Sequence, residues 1–167
     1  MTRAAVVGAG MTKFGVHDTP LQELFGEAAF GALDDAGVTT DDLDALYFGN
    51  AMSGQAENET HLGPRVASHI GAAGLEVQRF EDACATSANA FKNAVQAVDA
   101  GVHDIVLVGG VERCTPETGN DTPAMTPLFA SAPHRQYKQP TGRTFPSVFP
   151  PPPTRPMPQH GTPEEHI

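Results

Sequence analysis

The sequence predicts an α/β fold with a largely parallel sheet, helices on both of its faces, and an irregular loop region after it. Two observations carry that prediction. The apolar runs RAAVVGA (Arg3 to Ala9), ALYFGN (Ala45 to Asn50) and DIVLVGG (Asp104 to Gly110) are unbroken rather than alternating, as in strands covered on both faces. Stretches with apolar residues at helical spacing lie between them, joined by short turns, which is the order that strand–helix–strand crossovers produce.

Arg3 to Ala9 is the expected first strand. Gly8 and Gly10 follow, and the absence of a third glycine (position 13 is Lys13) argues against a dinucleotide-binding loop, so the glycines are expected to permit a tight turn. Thr19-Pro20-Leu21-Gln22 looks like a capping box with proline in the first turn. Leu21, Leu24, Phe25, Ala28, Ala32 and Leu33 recur at helical spacing, and Gly37 supplies the stop. Ala45 to Asn50 is a second strand. His61 to Ala72 forms a shorter helix with Leu62, Val66 and Ile70 on one face and Pro64 in its first turn. Val77 to Phe80 is a brief third strand. From Cys84 the residues Ala88, Phe91, Val95, Val98 and Val102 follow in alternating steps of four and three, which predicts a helix with that face buried. Asp104 to Gly110 is the fourth strand.

The organisation expected is an α/β domain over residues 1–111 and a loop region with a proline-rich, disordered tail over 112–167. In FPSVFPPPPTRPMPQHGTPEEHI the prolines remove donors that any regular element would need. A proline-rich ligand is the alternative reading of that tail.

Net charge is −10, which argues against nucleic acid or an anionic membrane surface as partner. No apolar run approaches the roughly 18 residues that span a bilayer. MTRAAVVGAGM reads as a strand rather than a leader, and two cysteines do not make a secreted disulfide framework, so the expected location is the cytoplasm. The seven histidines lack the spacing of a zinc site, and no metal is expected. Asp34, Asp35, Asp41, Asp42 and Asp44 read as a solvated acidic edge.

One residue stands apart. In VQRFEDACATSANAF, Cys84 falls where a parallel strand ends and a helix begins, the edge at which open α/β sheets place their chemistry. The amides and dipole of a helix start stabilise a thiolate and can hold a developing oxyanion. Glu81 and Asp82 would oppose activation if they faced the sulfur. A small buried apolar cysteine is the competing reading, and residue chemistry alone leaves the two open.

Four stretches together resemble the thiolase family, especially its sterol-carrier-protein-type and archaeal acetyl-CoA acetyltransferase-like branch. They are AAVVGAGMTKFG (Ala4 to Gly15), YFGNAMSGQAENETHLGPRVASHIG (Tyr47 to Gly71), EDACATSANAFKNAVQAVDAG (Glu81 to Gly101) and DIVLVGGVERCT (Asp104 to Thr115). The resemblance implies the N-terminal half of a thiolase-like fold and gives Cys84 the role of acyl-accepting nucleophile. It implies coenzyme A thioesters as substrates with no separate cofactor, in a Claisen condensation or the reverse thiolysis. It also implies a homodimer or higher oligomer, a small OB-fold partner protein in the archaeal branch, and coenzyme A contacts from a loop region beginning near Glu112. No residue of this chain is assigned to cofactor binding.

The departures are specific. Where relatives carry Cys-Ala-Ser-Gly this chain has Cys84-Ala85-Thr86-Ser87, and Ser87 would narrow the pocket. Cys114 stands where relatives often carry Met and reads as structural. The activating histidine, the second cysteine and the Asn-Glu-Ala-Phe motif belong to a C-terminal half not found here. The expectation is therefore a truncated acyltransferase, weak or inactive alone. The alternatives are another condensing enzyme of the same fold (3-oxoacyl synthase or hydroxymethylglutaryl-CoA synthase type), or a non-catalytic subunit that binds acyl-CoA or a partner.

Overall fold

A computed structural model describes residues 4–114, 128–137 and 140. The chain divides into two compact units, Met1–Asn120 and Asp121–Ile167. In the second unit the described residues form little more than one turn, in which the Ser131 N–H and hydroxyl both donate to the Leu128 carbonyl. The expected disordered tail lies outside the described residues.

The first unit is built on three parallel strands in the order β2-β1-β3: β1 (Ala45–Gly49) is central, flanked by β2 (Glu76–Phe80) and β3 (Val106–Gly110). Ala45 pairs with Glu76 on one side and Val106 on the other, and Gly49 pairs with Phe80 and Gly110, so all three strands end at one level. The alternation of β1 divides its side chains between two layers. Leu46 and Phe48 face α1 (Leu21–Ala36) and α3 (Leu62–His69) in a core with Leu21, Phe25, Leu62 and Val66. Ala45 and Tyr47 face α4 (Thr86–Asp99), meeting Ala90 and Ala94. A one-turn helix, α2 (Ser53–Ala56), follows β1. Among the described residues no helix is long and apolar enough to cross a membrane.

α1 stops as expected at Gly37, whose φ of 68° is the left-handed conformation of a helix end. Its start differs: Pro20 is the cap residue, no side chain caps the helix, and the Glu23 and Leu24 N–H groups bond the Pro20 carbonyl. The capping box lies instead at Thr39, whose N–H and hydroxyl both donate to Asp42 Oδ2 at 2.8 and 2.9 Å. Asp44 Oδ2 accepts the Asp104 and Ile105 N–H groups at 2.7 and 2.9 Å, tying the starts of β1 and β3 together. Two members of the acidic edge are thus backbone acceptors, which holds both carboxyls below their usual pKa.

The expected first strand is not a strand. Residues 4–10 pair with nothing in the sheet, and Val6 and Val7 are 70% and 66% exposed. Among the described residues no strand occupies the outer edges of β2 and β3, so an apolar run alone does not secure a place in the sheet. The segment lies instead along α1. Its Ala9 N–H donates to Asp35, and a Cβ on Gly8 or Gly10 would fall 2.3 Å from the Ala32 carbonyl oxygen or 2.1 Å from that of Ala28. The two glycines therefore serve backbone-to-helix contact rather than a tight turn.

α4 forms where expected but turns a different face inward. Thr86, Ala90 and Ala94 are buried against the sheet, whereas Phe91 is 48% exposed. Small residues bring the helix axis close to the strands and leave the space for Tyr47, Val106 and Val108, which a stripe containing Phe91 would not.

Candidate active site at the carboxyl edge of the sheet

β2 ends at Phe80, and the chain passes through Glu81 and Asp82 into a single 3-10 turn, Ala83–Ala85, that runs directly into α4. Cys84 is the middle residue of that turn and is exposed. It sits just before the helix rather than inside its first turn. The backbone reason is Ala83, whose φ of 43° lies in the left-handed region and costs a non-glycine residue about 1 kcal/mol.

Four hydrogen bonds hold that conformation. The Thr86 hydroxyl donates to the Ala83 carbonyl at 2.7 Å and accepts the Asp82 N–H at 2.8 Å. Glu81 Oε1 accepts the Ala83 N–H at 2.9 Å, and the Asn89 amide donates to Asp82 Oδ2 at 2.5 Å. Both carboxylates that would have opposed a thiolate are thus committed to partners within the turn. Sequence reading noted Thr86 only as part of Cys84-Ala85-Thr86-Ser87 and passed over Asn89. A threonine and an asparagine in the first turn of a helix are common enough that only their partners identify them as clamps.

The start of α4 is set against the strand ends by two glycines. A Cβ on Gly49 would lie 3.1 Å from Ser87 Oγ and 3.3 Å from Ser87 Cα, and one on Gly110 would lie 3.1 Å from Ser87 Oγ and 2.5 Å from the Gly49 carbonyl oxygen. Ser87 therefore directs its hydroxyl at the ends of β1 and β3.

Behind the strand ends lies a buried polar cluster. Asn50 and Ser53 are buried, and the Ser53 hydroxyl donates to Asn50 Oδ1 at 2.5 Å. Asn50 Nδ2 donates to the Val111 carbonyl at 2.8 Å and Glu112 Oε1 at 3.1 Å, while Arg79 donates to Asn50 Oδ1 at 2.9 Å. Glu112 also accepts the Ala51 and Met52 N–H groups at 2.8 and 3.1 Å. Burial raises the Glu112 pKa above its ordinary value, and those amides and Arg79 offset part of the rise. Arg113 and Glu57 form a two-pronged pair with both contacts at 3.0 Å. The cluster fixes the loop after β1 to the segment after β3, and with it the rim on which Cys84 sits. The Cys114 thiol pKa is pushed up by burial, with Glu112 adding to the rise.

α4 has Ala85 as its cap residue and no side-chain cap hydrogen bond; its Thr86 N–H donates to the Ala83 carbonyl, and the Asp82 carboxylate accepts from Asn89 in its first turn. Among the described residues nothing hydrogen-bonds the Cys84 sulfur. An exposed cysteine on a strained turn, opening an uncapped helix at the carboxyl edge of a parallel sheet, defines the class: an α/β protein with a cysteine-bearing strand-to-helix turn. Residues 4–141 match the family of the thiolase N-terminal domain, and the chain belongs to the thiolase family. It is 36% identical over 168 residues to an acetyl-CoA acetyltransferase of Methanothermobacter thermautotrophicus, covering 100% of this chain and 43% of that protein. An acetyl-CoA acetyltransferase of Methanocaldococcus jannaschii is 35% identical over 150 residues, covering 89% of this chain and 37% of its own length. The solved acetyl-CoA acetyltransferase from Syntrophomonas wolfei superposes with a TM-score of 0.55 at 22% identity, over 60% of this chain and 26% of that one, a likeness of fold. The chain thus spans less than half the length of these relatives.

Proposed function

We propose that the chain carries the acyl-accepting site of a thiolase-type acyltransferase, with Cys84 as the nucleophile. The observation that supports this most is the exposed sulfur beside the uncapped start of α4. The Cys84 thiol gives up its proton, its thiolate attacks the carbonyl carbon of an acyl-CoA, the new C–S bond forms as the bond to coenzyme A breaks, and coenzyme A leaves as its thiolate, which takes up that proton. The acyl group remains a thioester on Cys84, electrophilic enough for attack by the enolate of a second acyl-CoA, or open to coenzyme A in the reverse direction. The dipole at the start of α4 would favour the oxyanion of each tetrahedral intermediate, the Thr86 N–H there being already engaged by the Ala83 carbonyl.

Among the described residues none bonds the sulfur as a base, so activation beyond the helix dipole falls to groups outside them. The reading includes a cytoplasmic location and a homodimer or higher oligomer, with a small OB-fold protein as a further partner.

Incubation with acetyl-CoA followed by mass spectrometry of the peptide containing Cys84 tests the assignment. An acetyl adduct on Cys84 that disappears in Cys84→Ser is expected. No adduct under conditions where coenzyme A binds would overturn it in favour of a binding subunit.

A further inference from the structure

Cys84 lies two residues after Asp82, and the ordinary local partner of an aspartate side chain is the N–H two residues ahead of it. That bond would bring a carboxylate beside the sulfur. Here Asp82 is engaged elsewhere. Its N–H donates to the Thr86 hydroxyl at 2.8 Å, its carbonyl accepts the Ala85 N–H at 2.8 Å, and its Oδ2 accepts the Asn89 amide at 2.5 Å. Thr86 and Glu81 bond backbone groups of the turn and so hold its shape. The bond from Asn89 is the one among them that joins two side chains, and its acceptor is a charge. Removing it leaves the backbone bonds of the turn in place and frees only the carboxylate.

We propose that Asn89 is a positioning residue for the reaction of Cys84: it holds the Asp82 charge away from the sulfur and so sets the nucleophilicity of that sulfur. Asn89 reaches back from the first turn of α4 and draws the carboxylate along the helix, away from the turn that carries Cys84. Released, the carboxylate turns to the Cys84 N–H and stands about 4 Å from the sulfur. At an exposed site one unit charge at that distance slows a reaction through the thiolate about fivefold. The effect is one of charge rather than shape, which separates Asn89 from Thr86. The inference rests on Cys84 as the nucleophile proposed above, and it names the residue that tunes it.

Alkylation of the 167-residue chain by iodoacetamide, in a Cys114→Ser background, reads Cys84 alone and needs no acyl-CoA. Asn89→Ala is expected to slow alkylation about fivefold at low ionic strength. Asp82→Asn with Asn89→Ala is expected to return the rate to within about twofold of the parent, because the charge is gone although the bond is still missing. In about 1 M salt, where charges are screened beyond about 3 Å, the loss in Asn89→Ala should shrink below about twofold. Asn89→Asp, of nearly equal size, sets two carboxylates together and should slow the reaction at least as much, which gives a reading even where Asn89→Ala fails to fold. Unchanged rates in the Asn89 variants overturn the proposal. So does a double variant as slow as Asn89→Ala, or a loss that salt does not reduce, since either means that the bond only holds shape. If acetyl-CoA leaves no adduct while this alkylation pattern holds, acyl transfer fails and the role of Asn89 stands.

Discussion

Replacing Gly110 by alanine tests how the site is held. The added Cβ would lie 2.5 Å from the Gly49 carbonyl oxygen, which is backbone of the central strand and has no rotamer to escape into. Restoring an ordinary contact requires the ends of β1 and β3 to part by nearly an ångström. Ser87 Oγ is 3.1 Å from the same Cβ, so the start of α4 is pushed as well. Overpacking of this kind costs about 1–3 kcal/mol. A displacement on the order of 1 Å at a reacting group costs up to roughly 100-fold in rate. We expect Gly110→Ala to lower the urea midpoint with an unchanged slope, and to slow acetyl transfer to Cys84 by about 10- to 100-fold. Gly71→Ala is the control. Gly71 has φ 83° with nothing within 4 Å of its Cβ position, so alanine there strains the backbone without touching the strand ends. Its midpoint should fall and its acetylation rate should hold. Equal acetylation rates in the two variants would refute the claim that this glycine contact positions the cysteine.

Two further outcomes follow from the hydrogen bonds of the site. Thr86→Val keeps the shape but leaves the Asp82 N–H without its acceptor, and should cost about 1–3 kcal/mol by urea unfolding; a loss no larger than that of an exposed threonine would show that the turn is held otherwise. Glu112 has a folded pKa above its ordinary 4.5, so the folded chain holds that proton more tightly than the unfolded chain. The stability so conferred is complete below the ordinary value and is lost as pH rises through the raised one. Thermal midpoints of the wild type should therefore fall relative to Glu112→Gln as pH increases above 4.5, and parallel curves for the two proteins would contradict the burial argument.

The sequence by itself determined which segments are helix and strand over most of residues 21–110, because the local signals there act within a few residues. Examples are Gly37 at a left-handed helix end and the unbroken apolar run Ala45–Gly49. It also determined that Cys84 stands between a strand and a helix. Only the tertiary structure decided which strands share the sheet, since Val6 and Val7 carry a strand pattern and yet lie outside it. It alone chose between two stripes on α4, because alanines pass unnoticed in a hydrophobic pattern but allow the closest approach to a strand. The turn around Cys84 was likewise invisible in advance. Its shape depends on where the Thr86 hydroxyl, the Asn89 amide and the Glu81 and Asp82 carboxylates point, and residue order does not fix the direction of a side chain.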